Sequence, residues 1–177
     1  MTCEMVAAQP SPAWYAVHVR SNCERGVAEF VKDRGIEAFL PTYLAPSKRR
    51  DRRAVLTKPL FPGYLFVHID PKSPSRIEVL KAPGTVRIVG FGTEPSAVSD
   101  RVVESVRILV GDGDGPARPH PLVRVGRLVE VSSGPFAGAV GRLLETDDRK
   151  PRLVVEVEFL GRAVAVPIDI SQVQPVL

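Results

Sequence analysis

From Trp14 to Val19 large and small apolar residues alternate, which predicts a β-strand. Ser21-Asn22-Cys23-Glu24 has the spacing of a capping box, so a helix is predicted to start there, with Val27, Phe30 and Val31 as its apolar stripe and Gly35 as its stop. Ile36 to Ala45 reads as extended, interrupted at Pro41, and Lys48 to Arg53 reads as a polar loop. Two more apolar runs, Ala54 to Leu60 and Tyr64 to Ile69, are separated by Pro62-Gly63; proline presets φ and glycine accepts a positive φ, so the chain bends there. Arg76 to Lys81 predicts a short helix and Val86 to Phe91 a further strand. Ser99 is placed to cap a last helix whose Val102, Val103, Val106, Leu109 and Val110 recur at helical spacing. About four strands interleaved with three helices predict an α+β sandwich, one sheet with helices against it.

Residues 111–121 contain three prolines and almost no apolar side chain, the composition of a linker. Beyond it Leu128 to Val131, Val140 to Leu144, Leu153 to Phe159, Ala163 to Val166 and Val173 to Leu177 predict five short strands. In the third of these Leu153, Val155, Val157 and Phe159 share one face, while Glu156 and Glu158 share the other. So small a β-domain must close on itself to avoid open edges, and an SH3-like barrel does so. The expected layout is a disordered lead over 1–12, an α+β domain over 13–110, a linker over 111–121 and a small barrel over 122–177.

Charge divides along the same boundary. Residues 1–110 carry 16 Lys and Arg against 11 Asp and Glu, and residues 111–177 carry 8 against 9. Only the first domain is therefore expected to work close to nucleic acid. No stretch approaches the roughly 18 uninterrupted apolar residues of a membrane span, and residues 1–13 lack the charged and apolar regions of a signal peptide, so a cytoplasmic monomer is expected. Cys3 and Cys23 are too few for a disulfide framework, and His18, His68 and His120 are too scattered for a metal site or a catalytic base. Neither enzymatic activity nor a cofactor is expected.

The densest feature is Pro59-Leu-Phe-Pro-Gly-Tyr-Leu-Phe-Val67, with three aromatic residues beside a rigid bend. Alternation along a strand sends neighbouring side chains to opposite faces, so one of those faces is expected to look outward or into a partner. Rings on rigid backbone bury much area for little lost rotamer freedom, which suits protein binding. Together with Trp14-Tyr15 this run resembles the amino-terminal domain of the NusG family of transcription elongation factors. Val-Arg-Val-Gly at 123–126, Gly-Pro-Phe-Ala-Gly at 134–138, Gly141, Phe-Leu-Gly-Arg-Ala at 159–163 and Asp-Ile-Ser-Gln-Val at 169–173 resemble the KOW domain that follows it in that family.

The resemblance implies a NusG-type α/β sandwich followed by a KOW barrel. It implies a hydrophobic depression that receives the clamp helices of the largest RNA polymerase subunit, with Phe61, Tyr64 and Phe66 in the motif, Trp14 and Tyr15 on the strand beside it, and Phe91 at a corresponding place in the RfaH branch. Lys48, Arg49, Arg50, Arg52 and Arg53 would lie near upstream DNA, and Arg20 and Arg34 near the non-template strand, attracted by phosphate charge without reading bases. On the barrel the partner face would include Phe136, Phe159 and Leu160, with ribosomal protein S10 as a second partner. Ala139 and Leu160 stand where the general factor is expected to carry rings for S10 or the terminator Rho, which argues against Rho and for a specialised paralogue near the RfaH branch. The base readout of that branch is not expected, because Phe30, Asp33 and Pro83 replace its polar or basic residues, and Ser75-Arg76-Ile77 replaces its His-Thr-Thr segment. The function implied is processive elongation and antitermination. The alternatives are a housekeeping NusG coupling polymerase to Rho or the ribosome, or a ribosome-associated or RNA-binding KOW protein; the acidic balance of 111–177 argues against the last.

Overall fold

The computed structural model describes residues 12–47, 55–111, 117–121, 126–144, 151–157 and 160–176. The first half runs β1 (Ala13–Val19), α1 (Glu24–Lys32), β2 (Glu37–Phe39), β3 (Thr42–Pro46), β4 (Val55–Pro59), β5 (Tyr64–Ile69), α2 (Pro74–Lys81), β6 (Thr85–Ile88), β7 (Gly90–Phe91), β8 (Glu94–Pro95), β9 (Ala97–Val98) and α3 (Asp100–Val110). An antiparallel sheet in the order β2-β5-β1-β6, with β9 added to β1, forms its centre, and β3-β4 and β7-β8 are separate ribbons. The expected strand over 86–91 is broken at Val89, whose N–H donates to Ala16 O while Gly90 and Phe91 turn into their own ribbon.

Alternation sorts the two faces of this sheet. Tyr15, Val17, Val19, Leu65, Val67 and Ile69 point one way and are buried with Val27 and Val31 of α1 and Val79 of α2. Trp14, Ala16 and Phe66 point the other way and are buried with Val103, Val106, Leu109 and Val110 of α3. Each face is closed by helices, as an α+β sandwich requires.

The second half runs β10 (Arg118–Pro121), β11 (Arg127–Val131), β12 (Val140–Leu144), β13 (Arg152–Val157), β14 (Arg162–Pro167) and β15 (Val173–Pro175), an antiparallel sheet in the order β10-β14-β13-β12-β11-β15. Its fold is the expected SH3-like one, with Leu153, Val155 and Val157 buried on one face of β13. The turn at 134–138 joins β11 to β12 with Gly134 and Gly138 at φ of 86° and 88°, a conformation only glycine adopts without strain. The linker expectation needs correcting at its end. Arg118 to Pro121 pair with β14, and Ala117 is buried in the same cluster as Trp14 and Val155, so the connection is shorter than 111–121. Residues 1–11 of the expected lead and 112–116 of the linker lie outside the described residues.

Helix starts differ from the sequence expectation. The chain turns through Asn22 at φ 66°, a left-handed position that asparagine tolerates, and this makes Cys23 the N-cap in place of Ser21. No capping box forms, and Ser99 likewise caps α3 without a side-chain hydrogen bond. Glu24, which a box would send back to the cap, is 5% exposed and instead accepts a hydrogen bond from Gly63 N–H at 2.9 Å. Gly63 lies at φ 82°, and Tyr64 N–H donates to Phe61 O at 3.0 Å, so Phe61-Pro62-Gly63-Tyr64 is a type II turn. Gly63 O in turn accepts from Val19 N–H at 2.8 Å. The first turn of α1, where a carboxylate is also favoured by the helix dipole, thus holds the bend that precedes β5.

Two substitutions test these packing arguments. Glu24→Ala strands the Gly63 N–H and is expected to cost about 1–3 kcal/mol in chemical denaturation, whereas Glu24→Gln keeps an acceptor and is expected to cost less than half as much. Gly141 lies on β12 where an added Cβ would sit 2.5 Å from Val154 O of β13, so Gly141→Ala is expected to destabilise by about 1–3 kcal/mol, read by the same melt.

Candidate functional site

The aromatic residues around the type II turn gather on the α3 side of the sheet. Phe61 meets Phe66 edge to face at 5.9 Å between centroids, and Phe66 stacks on Phe39 at 6.2 Å. Tyr64 stacks on His18 at 5.1 Å, and Trp14 tilts against His68 at 5.2 Å. Trp14, Phe61, Tyr64 and Phe66, four of the six expected polymerase-binding residues, therefore share one surface. The other two do not. Tyr15 follows Trp14 on β1 and so faces α1, where burial first and the nearby Asp70 second raise its phenol pKa. Phe91 is 76% exposed on the β7-β8 ribbon and is no part of either buried cluster.

The expectation that these rings stand open to water is overturned. Phe61 is 1% and Phe66 0% exposed, and Trp14 is 7% exposed. They are buried in a cluster with Val103, Val106 and Leu109 of α3 that continues into the barrel through Val131, Ala139, Val155 and Val164, and the barrel's Arg162 lies over Tyr64 at 5.9 Å. Helix α3 touches β1 on one side and β12 and β13 on the other. Its Ser105, 1% exposed, accepts a hydrogen bond from Val140 N–H at 3.0 Å, and Ile108 Cδ1 lies 3.6 Å from where a Gly138 Cβ would be. Arg101 pairs with Glu130 of β11 at 3.9 Å at the seam's edge. Sequence periodicity marked α3 as amphipathic but could not say that two further apolar positions, Val102 beside Leu128 and Val140 and Ile108 beside Gly138, meet a second domain.

The expected barrel face packs against the same cluster, with Phe136 lining a depression made by barrel residues. Phe136 and Leu160 are half-buried against the cluster and Ala139 is fully buried in it. Phe159 lies outside the described residues.

Among the basic residues, Arg20 is exposed. Arg34 lies 3.4 Å over the Phe30 ring and donates to Phe30 O and to Glu78 Oε2 at 3.0 and 3.1 Å, so it is engaged in joining α1 to α2. Lys81 and Arg34, donating to the Glu78 carboxyl, hold it below its usual pKa range. Lys48, Arg49, Arg50, Arg52 and Arg53 lie outside the described residues. Sequence reading missed three other arginines that bear on the rings. Arg107 of α3 lies 5.5 Å from the Trp14 centroid and 5.2 Å from that of Phe39, Arg118 of β10 lies 5.6 Å from Tyr43, and Arg162 of β14 lies 5.9 Å from Tyr64. Such distances suit a cation over a ring face.

Chemically this is a recognition surface of rings, aliphatic side chains and guanidinium groups. Among the described residues no group of three or more His, Cys, Asp or Glu is arranged to hold a metal ion, and no helix is long and apolar enough to cross a membrane.

Comparison with known proteins agrees with this architecture. Residues 12–107 match the family described as transcription termination factor nusG, and residues 125–158 match the KOW motif. The transcription termination/antitermination protein NusG of Yersinia pestis is 34% identical over 176 residues, covering 93% of this chain and 97% of that protein. Those of Escherichia coli K12 and Vibrio vulnificus are 32% and 30% identical, each with 93% of this chain covered and 97% and 96% of their own length. Among solved structures, one concerning domain interaction in Thermotoga maritima NusG has the same fold, with a TM-score of 0.55 at 24% identity over 94% of this chain and 98% of that one. With a family model spanning more than half its length and relatives above 30% identity over 93% of the chain, this chain belongs to the NusG family of transcription factors.

Proposed function

We propose that the chain binds the clamp helices of the largest RNA polymerase subunit through the face bearing Trp14, Phe61, Tyr64 and Phe66, and so favours processive elongation and antitermination. The observation that carries this reading is the convergence of those four rings on one side of the sheet, around a turn held rigid by Gly63 and Glu24. An apolar helical tip seated among them is a helix-in-groove contact in which aromatic anchors supply most of the affinity. Holding the clamp shut selects one conformer of the polymerase against the open states that accompany pausing.

The burial of the rings adds a condition. Arg162 of the barrel lies over the Tyr64 ring, so the barrel and a partner helix compete at that edge of the face, and the apparent affinity is reduced by the fraction of chains in which the barrel has left it. Phe136, which lines a depression on the barrel with Ile168 and Ile170, and Leu160 mark the face on which S10 would dock. Ala139 supports the reading as a specialised paralogue: the position where a ring for Rho is expected is instead a small, fully buried residue. Arg20 and the basic run at 48–53 would add attraction to upstream or non-template DNA.

Ile108→Glu places a carboxylate in the seam, on the side of α3 away from the sheet. Pull-down of a clamp-helix coiled-coil fragment by the full chain is expected to strengthen about tenfold or more in this variant. Tyr64→Ala added to Ile108→Glu is expected to reverse the gain. A fragment that neither chain retains would refute the proposed partner.

A further inference from the structure

We infer that the cleft between the start of α3 and strands β11 to β13 binds a small uncharged molecule, an aliphatic body carrying an N–H or O–H donor, and that its occupancy strengthens the contact between the two domains. The inference goes beyond the reading above and needs no polymerase partner.

The cleft has a volume of about 260 Å³. One water takes up about 30 Å³ of liquid and sites for drug-sized molecules begin near 300 Å³, so the space is too large for a bridging water and suits a compact organic ligand. Ser99, Arg101 and Val102 of α3 form one wall. The other wall is a single face of the barrel sheet. Arg142 of β12 lies opposite Leu128 of β11 and Val154 of β13, and Val140 and Glu156 are two positions along their strands, so all five side chains stand on the same side.

Glu156 gives this wall its chemistry. Its side chain is only 10% exposed, and its Oε2 accepts from Arg142 Nε at 3.2 Å, yet its buried Oε1 has no hydrogen-bond partner. A buried carboxylate oxygen without a donor is costly. The arginines of the cleft are directed to other acceptors: Arg142 also donates through Nη1 to Gly126 O at 3.3 Å, and Arg101 pairs with Glu130 at 3.9 Å. The terminal torsion of a glutamate is soft, so a modest turn of the carboxyl group offers Oε1 to a donor in the cleft. Charge selects the donor. Arg101 with Glu130 and Arg142 with Glu156 are already balanced, so a charged ligand would bring in an uncompensated charge at a desolvation cost. A carboxylate would also set acceptor against acceptor. An uncharged donor satisfies Oε1, leaves both ion pairs intact and covers Val102, Val140 and Val154 with its aliphatic part. An amide suits the site best, since Ser99, whose side chain makes no capping hydrogen bond, presents a hydroxyl on the opposite wall for its carbonyl. The two walls belong to different domains, so the site exists only while they are docked, and a ligand stabilises that arrangement by mass action.

The test titrates the isotope-labelled full chain with three probes of similar shape, isobutyramide, isobutyrate and isobutylammonium, and follows the backbone amides by two-dimensional NMR. Isobutyramide at millimolar concentrations is expected to shift Val102, Gly141 and Val155 saturably and to raise the melting temperature, while the two ions bind about tenfold more weakly or less. Glu156→Gln keeps an oxygen for Arg142 and turns an amide NH2 toward the cleft, so the preference is expected to swing from isobutyramide to isobutyrate. Val102→Phe fills the cleft from the α3 wall and is expected to abolish the shifts with every probe. No saturable shift in the parent chain, equal affinity for the three probes, an order of affinities that Glu156→Gln leaves unchanged, or undiminished binding by a folded Val102→Phe chain would each overturn the inference. None of these outcomes touches the proposed polymerase contact, which is read with a different ligand.

Discussion

A sheet that is apolar on both sides has to be covered on both sides, and in this chain the second cover is made by a helix with more apolar surface than the sheet can use. Valines 103, 106 and 110 of α3 are buried with Trp14, Ala16 and Phe66, while Ile108 and the Ser105 hydroxyl meet the turn and strand at Gly138 and Val140 of the barrel. One cluster therefore runs through both halves of the molecule. The burial of Phe66 and the shortness of the connection after Gly111 both follow from that shared helix.

Most of the fold was legible because it depends on local periodicity. Alternation in Trp14 to Val19 and Tyr64 to Ile69, helical spacing in Val102 to Val110, and the Pro62-Gly63 bend each specify their own element. Legibility ended where a second element decides the outcome. Ser21 and Glu24 have capping-box spacing, yet the backbone amide of Gly63, 39 positions away, takes the carboxylate. Arg118 and Pro119 read as linker, yet they complete a strand against Val164 and Ala165.

The candidate site divides in the same way. That Tyr64 and Phe66 would face together follows from their spacing, and that Tyr15 would face away from Trp14 follows from the same rule, although the family resemblance grouped all four. Exposure is a property of the whole chain and not of a strand, so nothing in residues 59–67 could announce that Phe61 and Phe66 are buried or that the barrel's Arg162 lies over Tyr64. Nor could the sequence single out Arg107, Arg118 and Arg162 from the other basic residues, since their significance is only that they rest on rings. A contact surface that the molecule already occupies with its own side chains is regulated by the stability of that internal contact. In the proposed reading, the energy of the seam, divided between apolar area, one buried hydroxyl and a few guanidinium groups, sets how often the Tyr64 edge of the ring face becomes available.

The most direct measurement is the distance between spin labels on exposed positions of α1 and β11, taken on the full chain alone and with the clamp-helix fragment. A single short distance in the free chain that gives way to a broad, longer one in the complex is the result that follows from a barrel covering the ring face and yielding it to a partner. A distance that stays short while the fragment is bound would contradict the account, because the ring face and the barrel could not then be competing for the same surface.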